Sequence, residues 1–228
     1  MNGFIIYEGV TNGQRFVIIA TGFKRASSNI KTGDMVQIWI LLIDQSPIEG
    51  VKLGIDADTI CKGCPFASGH GCYVNLGQAP LAVWKAYHNG SYPALKSYSV
   101  FDARDVRFGA YGNPSLIPLE IVKAIRSRAG KTTGYFHDWS ANRKAKSYNR
   151  YFMVSTDTLE SLEEAKSQGL RVFHASRDKP AGKFVTCLNV TRGKTCSACG
   201  ICNGGTGPDI WVPLHGSGAK KAFQLINN

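Results

Sequence analysis

Short apolar stretches separated by polar segments predict a β-rich start to the chain. Two apolar stretches, 4–10 and 14–21, are separated by Thr-Asn-Gly, a sequence typical of a tight hairpin turn. A third apolar stretch at 35–43 predicts another strand. The loop before it, 24–34, is basic and rich in Ser, Asn and Thr. Such a loop can bind phosphate or a carboxylate, and it can equally be a solvated connection.

Beyond residue 80 the pattern changes to alternating helices and strands. Helical spacing predicts helices at 80–88, 118–129 and 158–168, and strand-like runs predict strands at 106–111, 132–139, 151–155 and 170–174. Strands that alternate with helices are typical of parallel strands joined by right-handed crossovers. The sequence therefore predicts an α/β fold, either an incomplete (β/α) barrel or an open parallel sheet.

The length of the chain suits a single domain. A chain of 228 residues can bury one substantial core. Within it we distinguish an N-terminal β-hairpin region at 1–50, an α/β core at 51–177 and a Cys-rich segment at 178–228 packed on that core. The last segment is dominated by Gly, Thr, Lys and Cys at 178–209, so a bound metal would substitute for a core of its own.

All seven cysteines fall into two clusters. The upstream group comprises Cys61, Cys64 and Cys72, and the downstream group comprises Cys187, Cys196, Cys199 and Cys202. The chain has no signal-peptide start and no run of about 18 apolar residues, so we expect a cytoplasmic protein that does not enter a membrane. In a reducing compartment, closely spaced cysteines favour metal ligands over disulfides.

The downstream group predicts a closed metal site. Cys196, Cys199 and Cys202 repeat at three-residue spacing, and Cys187 can supply a fourth thiolate. Four thiolates suit either structural zinc or an iron–sulfur cluster, and the spacing alone leaves both open.

The upstream group has three cysteines and therefore one ligand fewer. For zinc, His70 is the obvious fourth ligand. For a [4Fe-4S] cluster, three thiolates leave one iron open, and S-adenosylmethionine can bind such an iron through its amino and carboxylate groups. The enzymes that use this radical chemistry usually carry C-x3-C-x2-C, whereas this chain has C-x2-C-x7-C.

Several polar and glycine residues outside the cysteine groups are candidates for the same site. Gly109, Gly112 and Asn113 follow a predicted strand and are candidate cofactor-binding residues, although Gly-Asn-Pro also makes an ordinary strand-to-helix turn. His137 and His174 end two predicted strands and are candidate catalytic residues, because strand carboxyl ends line active sites in parallel α/β folds. Either histidine can equally belong to the core. Tyr135, Arg107 and Arg171 can hold an anionic substrate, and the alternative for the two arginines is local pairing with acids.

Charge points to a polyanionic partner. The chain has 27 Lys and Arg against 16 Asp and Glu, a formal net charge of +11. Such an excess favours a nucleic acid or a nucleotide, through release of counterions from phosphates. The basic loop at 143–148 is the best candidate for phosphate contact, and a solvated loop is the alternative. The oligomeric state is not predicted.

Four motifs together resemble an uncharacterised bacteriophage family, the gene product 88-like proteins. They are Asn-Ile-Lys-Thr-Gly at 29–33, Cys-Pro and Gly-Cys-Tyr within 64–73, Thr-Cys-Ser-Ala-Cys-Gly-Ile-Cys at 195–202, and Pro-Leu-His-Gly at 213–216. The resemblance extends over about residues 20–220 and implies a phage-encoded protein acting in the cytoplasm of an infected bacterium. A more distant similarity to radical S-adenosylmethionine enzymes rests on the three-cysteine loop and the alternating strands.

These observations lead to two functional expectations. The first is an iron–sulfur enzyme, similar to radical S-adenosylmethionine enzymes, that acts on a nucleic acid or nucleotide. The alternative is a non-enzymatic zinc protein that binds nucleic acid or a host factor.

Overall fold

The computed structural model describes residues 2–27, 29–67, 71–215 and 219–226, and it has a mixed α/β architecture with two five-stranded sheets. The first sheet has the strand order β1-β2-β3-β4-β5 and the second the order β6-β7-β8-β10-β9. The strands are β1 Gly3–Thr11, β2 Gln14–Thr21, β3 Val36–Leu42, β4 Val106–Tyr111, β5 Thr132–Thr133, β6 Tyr135–Phe136, β7 Met153–Thr156, β8 Val172–Ser176, β9 Phe184–Thr186 and β10 Asp209–Pro213. The helices are α1 Pro47–Lys52, α2 Ile55–Asp58, α3 Ala79–His88, α4 Leu119–Arg126, α5 Ala145–Asn149, α6 Leu159–Ser167, α7 Leu188–Arg192, α8 Cys196–Cys199 and α9 Ala219–Ile226.

The predicted N-terminal hairpin is confirmed. Strands β1 and β2 pair antiparallel around Asn12 and Gly13, which both have positive φ angles of 45° and 76°. This backbone twist matches that of the strands it joins, which is why Asn-Gly is favoured there. Strand β3 pairs antiparallel with β2 and is buried along its whole length. It then pairs parallel with β4, so the change from antiparallel to parallel pairing occurs at β3.

The second sheet is parallel throughout its described strands. Helix α6 connects β7 to β8, as the alternation of patterns predicts, and it begins with a capping box between Thr158 and Ser161. Parallel strands place their carboxyl ends at one edge. The loops that follow β4, β6 and β7 therefore lie close together at that edge.

The predicted continuous strand at 132–139 is wrong. The segment forms two short strands, β5 and β6, which belong to different sheets and are separated by Gly134. A Cβ atom on Gly134 would lie 2.8 Å from Cδ1 of Phe152 and 3.1 Å from Cβ of Phe108. The two phenylalanine side chains leave space only for a glycine where the sheets meet.

Aromatic residues dominate the core that joins the sheets to the helices. Phe101, Phe108, Phe136 and Phe152 are among the largest fully buried side chains. Each buries an area that stabilises the fold by about 2–3 kcal/mol relative to an exposed side chain. The described residues do not close into a barrel. Among them, no helix has both the length and the apolar character needed to cross a membrane.

Candidate metal centres

The upstream cysteines lie in a compact loop between α2 and α3. The Cys64 amide donates to the Cys61 carbonyl at 3.0 Å, and the Cys72 amide donates to the Phe66 carbonyl at 3.1 Å. These bonds fold the loop back on itself, so the three half-buried thiols come close enough for the charge on each neighbour to raise the pKa of Cys61. The three cysteines therefore lie near one another in one loop.

Burial is the main influence on the upstream thiols. It raises the pKa of Cys64 to about 11, with a further contribution from Asp157, while the backbone amides of Phe66 and Ala67 lower it. Burial also raises the pKa of Cys61 well above its ordinary value. Without a cation these groups are neutral thiols at pH 7, and a bound metal would supply the charge that makes them thiolates.

Glycine fixes the position of this loop against the second sheet. Gly63 has a φ angle of +79°, and a Cβ there would lie 2.8 Å from Cα of Asp138 and 2.9 Å from the carbonyl oxygen of His137. The loop therefore contacts the backbone that follows β6 with no room for a side chain. This contact places the upstream group at the carboxyl edge of the parallel strands.

Asn113 connects the same loop to the end of β4. Its amide nitrogen donates to the Lys62 carbonyl at 3.3 Å and to Oδ1 of Asp138 at 2.9 Å, and its backbone amide donates to the Ile60 carbonyl at 2.6 Å. Asn113 is only 4% exposed. These contacts give it a positioning role for the cysteine loop.

The two glycines that the sequence grouped with Asn113 are required by close packing. A Cβ on Gly109 would lie 2.9 Å from the Gly112 carbonyl oxygen, and one on Gly112 would lie 2.7 Å from Cβ of Ile40. Both have positive φ, at +69° and +80°. Their geometry shapes the turn after β4 beside the upstream group.

Two buried polar atoms near the upstream group have no hydrogen-bond partner among the described residues. They are Oδ1 of Asp56 and Nδ1 of His137. The other carboxylate oxygen of Asp56 accepts a hydrogen bond from Tyr111, and burial raises the pKa of Asp56 to about 6 although that bond lowers it. Burial lowers the pKa of His137, and the charge of Asp157 opposes that shift. A buried polar atom without a partner calls for a neighbouring water molecule, ion or ligand to satisfy it.

The downstream cysteines line one small cavity. Cys187 precedes α7, Cys196 and Cys199 are the first and last residues of α8, and Cys202 follows its C-terminal glycine. All four contribute to the walls of a cavity of about 30 Å³. The four cysteines are therefore near neighbours around this cavity.

The first sheet and the loop before β3 hold this segment. The Cys196 amide donates to the Lys31 carbonyl at 2.9 Å, and the Ser197 amide donates to the Thr32 carbonyl at 3.1 Å. Nζ of Lys131 donates to the Ser197 carbonyl at 2.7 Å, at the C-terminal end of α8. The basic loop at 24–34 therefore contacts the Cys-rich segment, which the sequence did not predict.

Burial and neighbouring polar side chains shift the pKa of the downstream thiols in opposite directions. Burial raises the pKa of Cys202 to about 12, and a hydrogen bond from Tyr135 lowers it. Burial likewise raises the pKa of Cys196, whereas the positive charges of Arg107 and Lys31 lower it. The side chains around the downstream group are therefore cationic, whereas Asp56 and Asp157 make those around the upstream group acidic.

All seven cysteines are free thiols. Among the described residues, no three Cys, His, Asp or Glu side chains are arranged so that they could hold a metal ion directly. His70, the expected fourth zinc ligand, lies outside the described residues. The metal-binding role predicted for the two groups of cysteines therefore stays a prediction.

His174 lies in different surroundings from His137. It is 1% exposed, its Nδ1 lies 3.0 Å from Oγ1 of Thr156, and burial lowers its pKa to about 4. It lines a cavity of about 850 Å³ between α6 and residues 176–184. Asp157 also lines this cavity, and its charge raises the pKa of both His137 and Cys64.

The sequence did not identify Asp56, Tyr111 or Asp157 as site residues. Asp157 follows β7 directly, so the rule that selected His137 and His174 could have selected it too. Asp56 and Tyr111 meet across 55 positions, and no local pattern indicates that contact.

Comparison with known proteins gives no further assignment, because no family model, curated protein or solved structure matches the chain significantly.

Proposed function

We propose that the chain is an iron–sulfur protein that works as a radical S-adenosylmethionine-like enzyme. In this proposal the upstream group holds a [4Fe-4S] cluster with one open iron, and the downstream group holds a closed centre. The observation that carries the proposal is the position of three thiols at the carboxyl edge of parallel strands, beside the orphaned Nδ1 of His137. Parallel α/β folds bind ligands and substrates at that edge.

The strand order supports an incomplete barrel around this site. Strands β3, β4, β5 with β6, β7 and β8 are neighbours in chain order, and each adjacent pair is parallel. We propose that the two sheets act as one curved sheet interrupted at Gly134. The upstream loop follows β3, the first strand of that series, so it reaches over the carboxyl ends of the next strands.

The acidic surroundings of the upstream group support a cationic cofactor. Asp56 and Asp157 both raise the pKa of upstream thiols, and Asp138 lies against the loop. S-adenosylmethionine carries a sulfonium and an amino group, which these carboxylates would favour. With S-adenosylmethionine bound to its open iron, a reduced cluster would supply the electron that cleaves the sulfonium.

The substrate class in this proposal is a nucleic acid or nucleotide. The formal charge of +11 supports a phosphate-bearing partner. The exposed residues Arg143, Lys144 and Lys146 lie near the carboxyl edge, just after the segment that follows β6. Their position would allow phosphate contact beside the upstream group.

A zinc protein without catalytic activity is the second candidate. The cavity between the downstream cysteines, about 30 Å³, has room for one or two water-sized atoms, and this favours a single ion at that group. In this alternative both groups are structural, and the basic surface binds nucleic acid or a host factor.

Cleavage of S-adenosylmethionine tests the proposal. Protein purified without oxygen is incubated with S-adenosylmethionine and dithionite, and 5′-deoxyadenosine and methionine are quantified. We expect both products from the wild type and none from Cys64→Ala. The matched control is Leu53→Ala, an exposed residue outside both groups. Equal product from Cys64→Ala, or none from an iron-loaded wild type, would contradict the proposal.

A further inference from the structure

Three buried polar side chains form a row across the first sheet. Gln37 of β3 is in register with Arg107 of β4, and Arg107 is in register with Thr133 of β5. They are 2%, 8% and 2% exposed. Side chains in register on adjacent strands point to the same face of a sheet. A polar row at this depth needs partners, because buried polar groups without them are costly.

Two members of the row contact the structures that hold the downstream group. Nε2 of Gln37 donates to Oγ1 of Thr32 at 3.3 Å, and the Thr32 carbonyl accepts from the Ser197 amide. Thr133 lines the cavity between the four downstream cysteines, together with Tyr135. Arg107 lies between Gln37 and Thr133, so its side chain is on the face that the Cys-rich segment covers.

Arg107 lacks the partners that a buried guanidinium needs. Its Nη2 donates to Oη of Tyr73 at 2.7 Å, whereas its Nε is fully shielded and has no acceptor among the described residues. No carboxylate of the described chain forms an ion pair with it. A buried cation without a counter-charge is strongly unfavourable, so a negative group is expected beside it.

Arg171, the other buried arginine, shows the contrasting case. Its guanidinium donates to the carbonyls of Pro208, Gly204 and Ile201 and to Oδ1 of Asn203, at 2.5–2.9 Å. Those acceptors satisfy the side chain without an added group. The contrast shows that burial of an arginine in this fold does not by itself leave donors free.

We propose that Arg107 is the buried counter-charge of a metal–thiolate centre at the downstream group. The inference rests on the proposed function, because it requires metal there. Four thiolates around either zinc or a [4Fe-4S] cluster give a net negative centre, which Arg107 would stabilise and position.

Arg107 also connects the two groups. Tyr73, which accepts its hydrogen bond, directly follows Cys72 of the upstream group. Arg107 is in register with Thr133, which lines the cavity between the downstream cysteines, so we assign its charge to the downstream centre. In this proposal Arg107 is therefore a positioning residue for the downstream centre.

The test uses a background in which only the downstream centre remains. Arg107→Met and Arg107→Lys are introduced into Cys64→Ala protein purified without oxygen. Metal per chain and the rate of metal loss to EDTA are measured for each variant. Arg128→Met is the matched control, because Arg128 is an exposed arginine paired with Asp102.

We expect Arg107→Met to lose metal about tenfold faster or more, the effect typical of removing an outer partner of a metal ligand. Arg107→Lys should fall between Arg107→Met and the parent, and Arg128→Met should equal the parent. If the centre contains iron, Arg107→Met should also lower its reduction potential, since a nearby positive charge stabilises the reduced state. A purely structural role for Arg107 would not shift the potential.

Equal metal content and release rates in Arg107→Met and its parent would overturn the inference while leaving the proposed function intact. A wild type that carries no metal would overturn both. If circular dichroism shows that Arg107→Met does not fold, Arg107→Lys decides, and a release rate equal to that of the parent then counts against the inference.

Discussion

Replacing Arg171 with methionine should destabilise the fold strongly. Arg171 is 6% exposed, and its guanidinium makes four hydrogen bonds to residues 201–208. Asn149 holds the strand from the other side, since its Oδ1 accepts from the Arg171 amide at 2.8 Å. The Arg171 side chain therefore attaches residues 201–208 of the Cys-rich segment to the start of β8.

The magnitude follows from those four bonds. A hydrogen bond from a charged donor contributes about 1.5–3 kcal/mol, but four bonds from one group are not additive, because water reaches some of the freed carbonyls. We therefore expect a loss of about 3–5 kcal/mol, the range for breaking a buried charged interaction. A domain of this size is stable by about 5–15 kcal/mol, so the loss should be obvious.

Urea unfolding of the metal-free, reduced protein provides the assay. Metal removal matters here, because bound metal would add its own contribution to the free energy of unfolding. Arg128→Met serves as the control for loss of an arginine and should cost less than about 1 kcal/mol, because its ion pair is exposed. An Arg171→Met protein within about 1 kcal/mol of that control would refute the reasoning.

Three further predictions concern His174, Gly63 and Asn113. The pKa of His174 falls from 6.5 to about 4 on burial, so between those pH values the unfolded chain binds more protons than the folded chain. The free energy of unfolding should therefore fall by up to about 3 kcal/mol on acidification through this range. Urea titrations at each pH measure this dependence, and His174→Gln should remove it. Gly63→Ala should displace the upstream loop and reduce the metal content of the protein. The control is Gly54→Ala, at a similar φ of +75° with nothing within 4 Å, which should lower the free energy of unfolding by only about 1 kcal/mol and leave the metal content unchanged. Equal metal content in the two variants would contradict this prediction. Asn113→Asp replaces a donor to Asp138 with a carboxylate and should lower the free energy of unfolding at pH 7 by about 1–3 kcal/mol, and an unchanged urea midpoint would show that this contact does not hold the loop.

Local sequence patterns predicted the elements whose signals are local. The Thr-Asn-Gly turn gave the hairpin, and apolar spacing gave β3, α3, α4 and α6 to within a few residues. Closely spaced cysteines on one turn stay near one another whatever the rest of the fold does, but the metal-binding role predicted for the two groups stays a prediction. The break at Gly134 could not be predicted, since it depends on Phe108 and Phe152 approaching from other strands.

The roles of the two buried arginines show where sequence reasoning ends. Arg107 and Arg171 both lie near the start of a predicted strand, and both were interpreted in the same way, as possible anion contacts. Their roles differ because residues 201–208 supply carbonyl oxygens to Arg171 and no comparable group reaches Arg107. Tertiary neighbours far apart in the chain determine that difference.

The most direct test of the account is the content of iron, acid-labile sulfide and zinc in protein purified without oxygen. We predict metal at both groups of the wild type, with iron and sulfide at the upstream group. Cys64→Ala should lose the upstream share and Cys199→Ala the downstream share. A folded wild type with neither iron nor zinc would contradict the claim that these thiols are metal ligands, and zinc alone would contradict the claim that the upstream centre is an iron–sulfur cluster.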